Sequence, residues 1–109
     1  MKLPGADAVS IDAQKVRGYL LSRTHPLGRF KARVFAAIGF DESNVQAFVS
    51  ALRSIAAGGE VEEVEDTEFG RKYTVPGDLR GSTGSLQVVT VWIQETGQEG
   101  VRLITVRPR

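Results

Sequence analysis

Ile55-Ala56-Ala57-Gly58-Gly59-Glu60-Val61-Glu62-Glu63-Val64 is where the chain changes period. Before it, Val45, Phe48, Val49, Leu52 and Ile55 recur at i, i+3, i+4 and i+7, the spacing that lines one face of a helix. From Glu60 onward the apolar residues recur at about two, the alternation of strands. Gly58-Gly59 ends the helix between them, because glycine loses more backbone entropy there than other residues. Helices followed by strands predict an α+β fold: three N-terminal helices packed on one face of a four-stranded antiparallel β-meander.

Towards the N-terminus, Asp41 is the expected cap of this third helix, and Gly39 the stop of a second helix over residues 27–38. A short first helix starts behind Asp12, carries Val16, Tyr19 and Leu20 as its stripe, and ends near residues 21–22. Residues 1–10 hold Pro4 and Gly5, show no periodicity and read as an arm. The 109 residues are then one domain, with an arm (1–10), a helical half (12–58) and a sheet half (60–107). That length buries a core without staples.

Towards the C-terminus, Val61 and Val64 sit in a run with six acids from Glu60 to Glu68, the pattern of a charged edge strand. Phe69-Gly70 turns the chain, and residues 71–75 return with Tyr73 and Val75 on one face. Pro76-Gly77-Asp78 and Gly81-Ser82-Thr83-Gly84 bracket a loop around Arg80. Residues 86–93 are apolar on both faces, which predicts an interior strand, and residues 101–106 form the last one. Val89, Val91 and Ile93 are the set expected to meet the helices, with Ile104 and Val106 beside them. The other face then carries Thr90, Trp92, Thr105 and Arg107, with Tyr73 nearby. Hydroxyls, a cation and aromatic surface are what single-stranded nucleic acid uses.

The formal net charge of +1 conceals an asymmetry, because residues 1–55 sum to +4 and residues 56–109 to −3. The basic half suits phosphate, and the acidic run suits a basic partner. No cysteine and a single histidine exclude disulfides and thiolate metal sites, so neither metal nor cofactor is expected. No apolar run approaches the ~18 residues of a membrane helix, and nothing resembles a signal segment. A cytoplasmic protein without membrane contact is the expectation.

His25-Pro26-Leu27-Gly28-Arg29-Phe30-Lys31-Ala32-Arg33-Val34-Phe35 stands apart, with the one histidine and three cations within five residues. At about 100° per residue, Leu27, Phe30, Val34, Phe35 and Ile38 fall on one arc of roughly 140°. Arg29 and Arg33 project away from it. Lys31 does not: it lies inside the arc, between Ile38 and Phe35. A buried, unpaired ammonium is costly, so Lys31 must reach water or a fixed acceptor. Pro26 holds His25 extended, just ahead of a helix whose free N–H groups make an anion site.

Tyr19-Leu20-Leu21 followed by His25-Pro26-x-Gly28-Arg29-x-Lys31-Ala32-x-x-Phe35 resembles a family of small bacterial domains of unassigned function. Phe69-Gly70-x-x-Tyr73, Val91-Trp92-Ile93 and Arg102-Leu103-Ile104-Thr105 match it in the same order. Members look like stand-alone proteins beside a small partner gene, or C-terminal domains of polymorphic toxins. The order of helices and meander is similar to the Barnase–EndoU–Colicin–RelE-like ribonucleases. The resemblance implies a ribonuclease with His25, Lys31 and Thr105 as catalytic residues. Arg29, Tyr73 and Trp92 would bind substrate on this resemblance, and the second histidine of some members is missing. Arg33, beside Arg29 on the helix, and Arg107, on the aromatic sheet face, are the further candidates for binding substrate.

Metal-independent RNA cleavage needs a base for the ribose 2′-OH, a donor for the 5′-oxygen and cations for the pentavalent phosphate. His25 fits either proton role, because histidine ordinarily titrates near neutrality. Lys31 would stabilise the phosphorane, Arg29 grip an adjacent phosphate, and Tyr73 or Thr105 position the ribose. The expected partners are RNA and a small cognate immunity or antitoxin protein. The competing readings are a module that binds nucleic acid or protein without cutting, and a scaffold in which Pro26, Gly28 and Lys31 only fix a turn.

Overall fold

The computed structural model describes residues 1–22, 24, 25 and 29–109. It is α+β, with the helices ahead of a four-stranded antiparallel meander. A 3-10 turn (Ala6–Ala8) leads to α1 (Ala13–Lys15), which runs on as a π-helical turn (Val16–Leu20). Then come α2 (Arg29–Ala37) and α3 (Val45–Gly58). The strands are β1 (Glu63–Thr67), β2 (Gly70–Gly81), β3 (Gly84–Glu95) and β4 (Arg102–Pro108), paired in chain order. The apolar segment 86–93 is therefore interior, as its two apolar faces require.

Asp12 caps α1 as expected, its carboxylate accepting the N–H groups of Gln14 at 2.9 Å and Lys15 at 3.3 Å. Asp41 does not cap α3. Its carboxylate accepts the Ser43 N–H at 2.8 Å, and Asn44 precedes the helix instead. Asn44 ties the linker together, accepting from the Asp41 N–H at 2.8 Å and donating to the Gly39 carbonyl at 2.7 Å. The arm is also anchored. Leu3 and Val9 are buried, and Ser10 bridges to Arg102 beside the edge of β4. These are single contacts, which leave no periodic trace in sequence.

β2 runs straight through Pro76-Gly77-Asp78, where a loop was expected. The Thr74 carbonyl accepts from the Glu62 N–H at 2.8 Å, so Thr74, and two residues on Pro76, turn their backbone polar groups to the β1 side. β1 has ended by then, since its pairing stops at Glu63↔Thr74. A missing N–H costs the sheet nothing there. The β2–β3 turn seats on the end of α2 instead. Thr83 donates from N–H to the Ile38 carbonyl at 3.2 Å and from Oγ1 to the Ala37 carbonyl at 3.1 Å. These bonds satisfy carbonyls that a helix end leaves open.

Gly39 makes that seat possible. Its φ is +104°, and a Cβ would stand 2.3 Å from Ser82 Oγ and 2.9 Å from Ser82 N. Gly39→Ala is expected to cost about 1–3 kcal/mol, from left-handed strain plus displacement of the turn. Urea unfolding measures it, and an unchanged midpoint would show that the turn is free to shift.

The face of the sheet that packs on the helices is the opposite one from that expected, although Val89, Val91 and Ile93 are buried as well. Val64, Tyr73, Trp92 and Leu103 stand side by side, as do Val75, Thr90 and Val106. Tyr73, Val75, Val88, Trp92, Leu103 and Val106 belong to the core cluster with Phe35, Phe48, Leu52 and Ile55. Ile55 of α3 sits over Gly77, where a Cβ would approach it to 2.7 Å. Trp92 is wholly buried; its Nε1 donates to Thr90 Oγ1 at 2.8 Å, and that hydroxyl donates to the Val75 carbonyl at 2.7 Å. Both polar groups are satisfied, so the pair is stable in an apolar setting.

Val89, Val91 and Ile93 lie on the second face, with Pro76, Thr74 and Lys72 opposite on β2. On β4 the pairing steps from Val91↔Thr105 to Trp92↔Leu103, leaving Ile104 as one extra residue. This bulge rotates Thr105 and Arg107 onto the second face, while Leu103 and Val106 stay in the core. Thr105 and Arg107 are thus separated from Thr90, Trp92 and Tyr73, with which they were expected to share a surface.

Candidate functional site

α2 buries Ala32 and Phe35, with Ile38 just beyond its end, and the Phe35 ring packs at a tilt of 50° against Phe48, 5.1 Å between centroids. Phe30 and Val34, read as part of the buried stripe, are 62% and 37% exposed. The buried arc is shifted away from Phe30 and towards Ala32, and it centres on Phe35. Lys31 is half-buried within it and reaches across to β4, where its Nζ donates to Thr105 Oγ1 at 3.1 Å. The acceptor is neutral. Its hydroxyl proton is left to point elsewhere.

Two further cations stand at this point. Arg107 lies two residues beyond Thr105, on the same face. Lys15, the last residue of α1, donates from Nζ to the carbonyl of Ile104, the bulge residue. The Lys31 ammonium is held below the ordinary lysine value. Burial is the first cause, and repulsion from Arg107 and then Lys15 adds to it. Among the described residues no carboxylate lies within ion-pair distance of any of the three.

Charge pairing is segregated over the molecule. Lys2, Arg71, Lys72, Arg80, Arg102 and Arg109 each meet a carboxylate. Among the described residues Lys15, Arg17, Arg29, Lys31, Arg33, Arg53 and Arg107 do not. Six of those seven come from the helical half, and Arg107 joins them through the bulge. Like charges gathered without counter-charge leave an anion as the group that would relieve their repulsion.

Of the residues singled out from sequence, Lys31, Thr105 and Arg107 meet. Arg29 and Arg33 are exposed on α2, their guanidinium carbons 5.1 Å and 5.9 Å from the Phe30 ring centroid. The His25 ring packs edge-on against Tyr19 at 4.8 Å; the backbone N–H of His25 donates to Ser22 Oγ at 3.2 Å, and its backbone carbonyl accepts the Arg29 N–H at 3.0 Å. His25 therefore stands at the head of α2. The expectations resting on Pro26, Leu27 and Gly28 lie outside the described residues. Tyr73 and Trp92 are in the core and offer no ring to a base, which corrects their reading as substrate-binding residues. Lys15 was missed; its sequence signal is that of any helical lysine, and its partner among the described residues is the bulge carbonyl of Ile104.

Among the described residues, no group of three or more His, Asp or Glu side chains could hold a metal ion. No helix among them is long and apolar enough to cross a membrane. No curated protein and no solved structure matches the chain. A family model described as "Domain of unknown function (DUF6883)" matches residues 2–109, and the chain belongs to that family.

Proposed function

We propose that the chain is a metal-independent endoribonuclease that cleaves RNA by attack of the ribose 2′-OH, with the scissile phosphate held at Lys31, Thr105, Arg107 and Lys15. The observation that supports this reading is that Lys31, bonded to Thr105, feels the charges of Arg107 and of Lys15, which bonds the adjacent Ile104 carbonyl, with no carboxylate paired to any of the three among the described residues. The pentavalent phosphate carries more negative charge than the ground state, so preformed cations stabilise it preferentially. Lys31 and Arg107 meet the non-bridging oxygens, and the Thr105 hydroxyl, which accepts from Lys31, donates to the phosphate or ribose. His25, at the head of α2, transfers the proton, and Arg29 and Arg33 grip neighbouring phosphates.

The family resemblance supports a toxin role. On this reading the small cognate immunity or antitoxin protein approaches the acidic β1 edge, where Glu63 and Glu68 have no ion-pair partner among the described residues. A second reading, a nucleic-acid-binding module that cuts nothing, is favoured by the same site, because holding a phosphate needs no base.

Incubating the protein with end-labelled RNA in EDTA separates the two. Cleavage leaving 2′,3′-cyclic phosphate ends is expected, and His25→Ala should slow it by about 10²–10⁴-fold, the contribution of a positioned proton-transfer group. RNA retained intact would support the binding module, and RNA neither bound nor cut would refute both readings.

A further inference from the structure

The turn between β1 and β2 is fixed by its backbone yet leaves its largest side chain uncovered. Thr67 Oγ1 donates to the Gly70 carbonyl at 2.8 Å and accepts the Phe69 N–H at 3.2 Å, while the Phe69 carbonyl receives the Thr96 N–H at 3.1 Å. Gly70 has φ +148°, and a Cβ there would stand 2.3 Å from the Gln94 carbonyl oxygen, so the turn fits glycine alone. Phe69 is nevertheless 69% exposed. A rigid turn does not need an exposed aromatic to hold it, and its apolar surface is costly in water.

Phe69 borders a groove on the second face of the sheet, of about 580 Å³, whose walls include Ile93, Ile104, Lys72, Arg102 and Lys15. That volume lies within the range of small-ligand clefts. Lys72 and Arg102 are turned to Glu65 and Glu95, at 3.9 Å and 2.6 Å, and Glu68 adds negative charge at the wall. The groove therefore suits an uncharged flat group better than a second phosphate. Lys15 belongs to both places: it lines this groove and bonds the bulge carbonyl beside Thr105.

We infer that the groove is a base subsite, in which one nucleobase of a single-stranded RNA stacks on Phe69 over Ile93 and Ile104 while the adjoining phosphate lies at Lys15 and Lys31. The inference rests on the phosphate reading of the Lys31 site and names its substrate class as unpaired RNA, because a base held in a duplex cannot enter the groove. Stacking on an exposed ring accepts any base, so the subsite recognises strandedness rather than sequence.

Two probes separate the parts: a non-cleavable 2′-O-methyl oligouridylate of about eight nucleotides, and inorganic pyrophosphate. Phe69→Ala should weaken oligouridylate binding roughly 5- to 150-fold, equivalent to the ~1–3 kcal/mol of one stacked base. Pyrophosphate binding should stay within about twofold. Phe69→Trp should keep oligouridylate affinity, and the added indole should be quenched by oligouridylate and not by pyrophosphate. Unchanged oligouridylate affinity in Phe69→Ala, with pyrophosphate still bound, overturns the base subsite alone. Loss of both ligands in Phe69→Ala overturns it too, as a structural role. Wild-type protein that ignores pyrophosphate yet loses oligouridylate on Phe69→Ala overturns the phosphate reading and keeps the groove.

Discussion

Lys31→Met is expected to fold as well as the wild type or better, and to lose about 10²–10³-fold in RNA cleavage. The loss is that of one donor aimed at transition-state charge, by analogy with an oxyanion-hole residue. The gain follows from the site. Lys31 lies within the buried stripe of α2, and burial and repulsion from Arg107 and Lys15 both disfavour its charge. Methionine has similar length, suits the stripe and removes the repulsion. Among the described residues, the hydrogen-bond partner lost is the Thr105 hydroxyl, which is part-exposed and can turn to water.

The sign can be checked by pH. The folded-state pKa of Lys31 is below the ordinary 10.5, so between those values the unfolded chain binds more protons and wild-type stability rises with pH. The cost of the charge is fully present below that window and gone above it. Any stability advantage of Lys31→Met should therefore be greatest at neutral pH and shrink as the pH approaches 10.5. Urea midpoints across this range, beside initial cleavage rates at neutral pH, are the measurements. A variant that unfolds would show Lys31 to be a structural lysine. One that folds and cleaves normally would remove it from the site.

Lys31 was legible because it broke a local rule, a cation inside an apolar arc, and such breaks are where function or strain gathers. The change of period at Gly58-Gly59 was legible because it is carried by five helical and many strand positions at once. What was not legible hinges on single residues. Parity in β3 is ambiguous, since Val88, Thr90 and Trp92 alternate with Val89, Val91 and Ile93 and both sets are apolar enough to be core. The bulge at Ile104 has no sequence signature, yet it decides which face Thr105 and Arg107 occupy. The arc of α2 gave the right helix and left open which of its margins faces water. Phe30 and Val34 are on the wet margin because Lys31 and Ala32 lie toward β4 and the core.

Trp92→Ala is expected to destabilise the protein by about 3–5 kcal/mol, the usual cost of deleting a large buried aromatic. For a domain whose total stability is ordinarily ~5–15 kcal/mol, this unfolds a substantial fraction near body temperature. Trp92 is wholly buried, beside Tyr73 and Leu103 on the neighbouring strands, and its ring can have no contact with a base in the folded state. The alanine would also strip Thr90 of its indole donor, although that hydroxyl would keep its bond to the Val75 carbonyl. Thr90→Val is the sharper probe of the polar pair. It keeps the shape and leaves the Trp92 N–H and the Val75 carbonyl without their side-chain partner, at about 1–3 kcal/mol. Trp92→Phe keeps a smaller aromatic ring and removes the N–H, so it should cost less than Trp92→Ala. Thermal or urea unfolding orders the three, while oligouridylate affinity, corrected for folded fraction, should not change in any of them. An affinity loss in a fully folded Trp92→Phe protein would return Trp92 to the binding surface and overturn its place in the core.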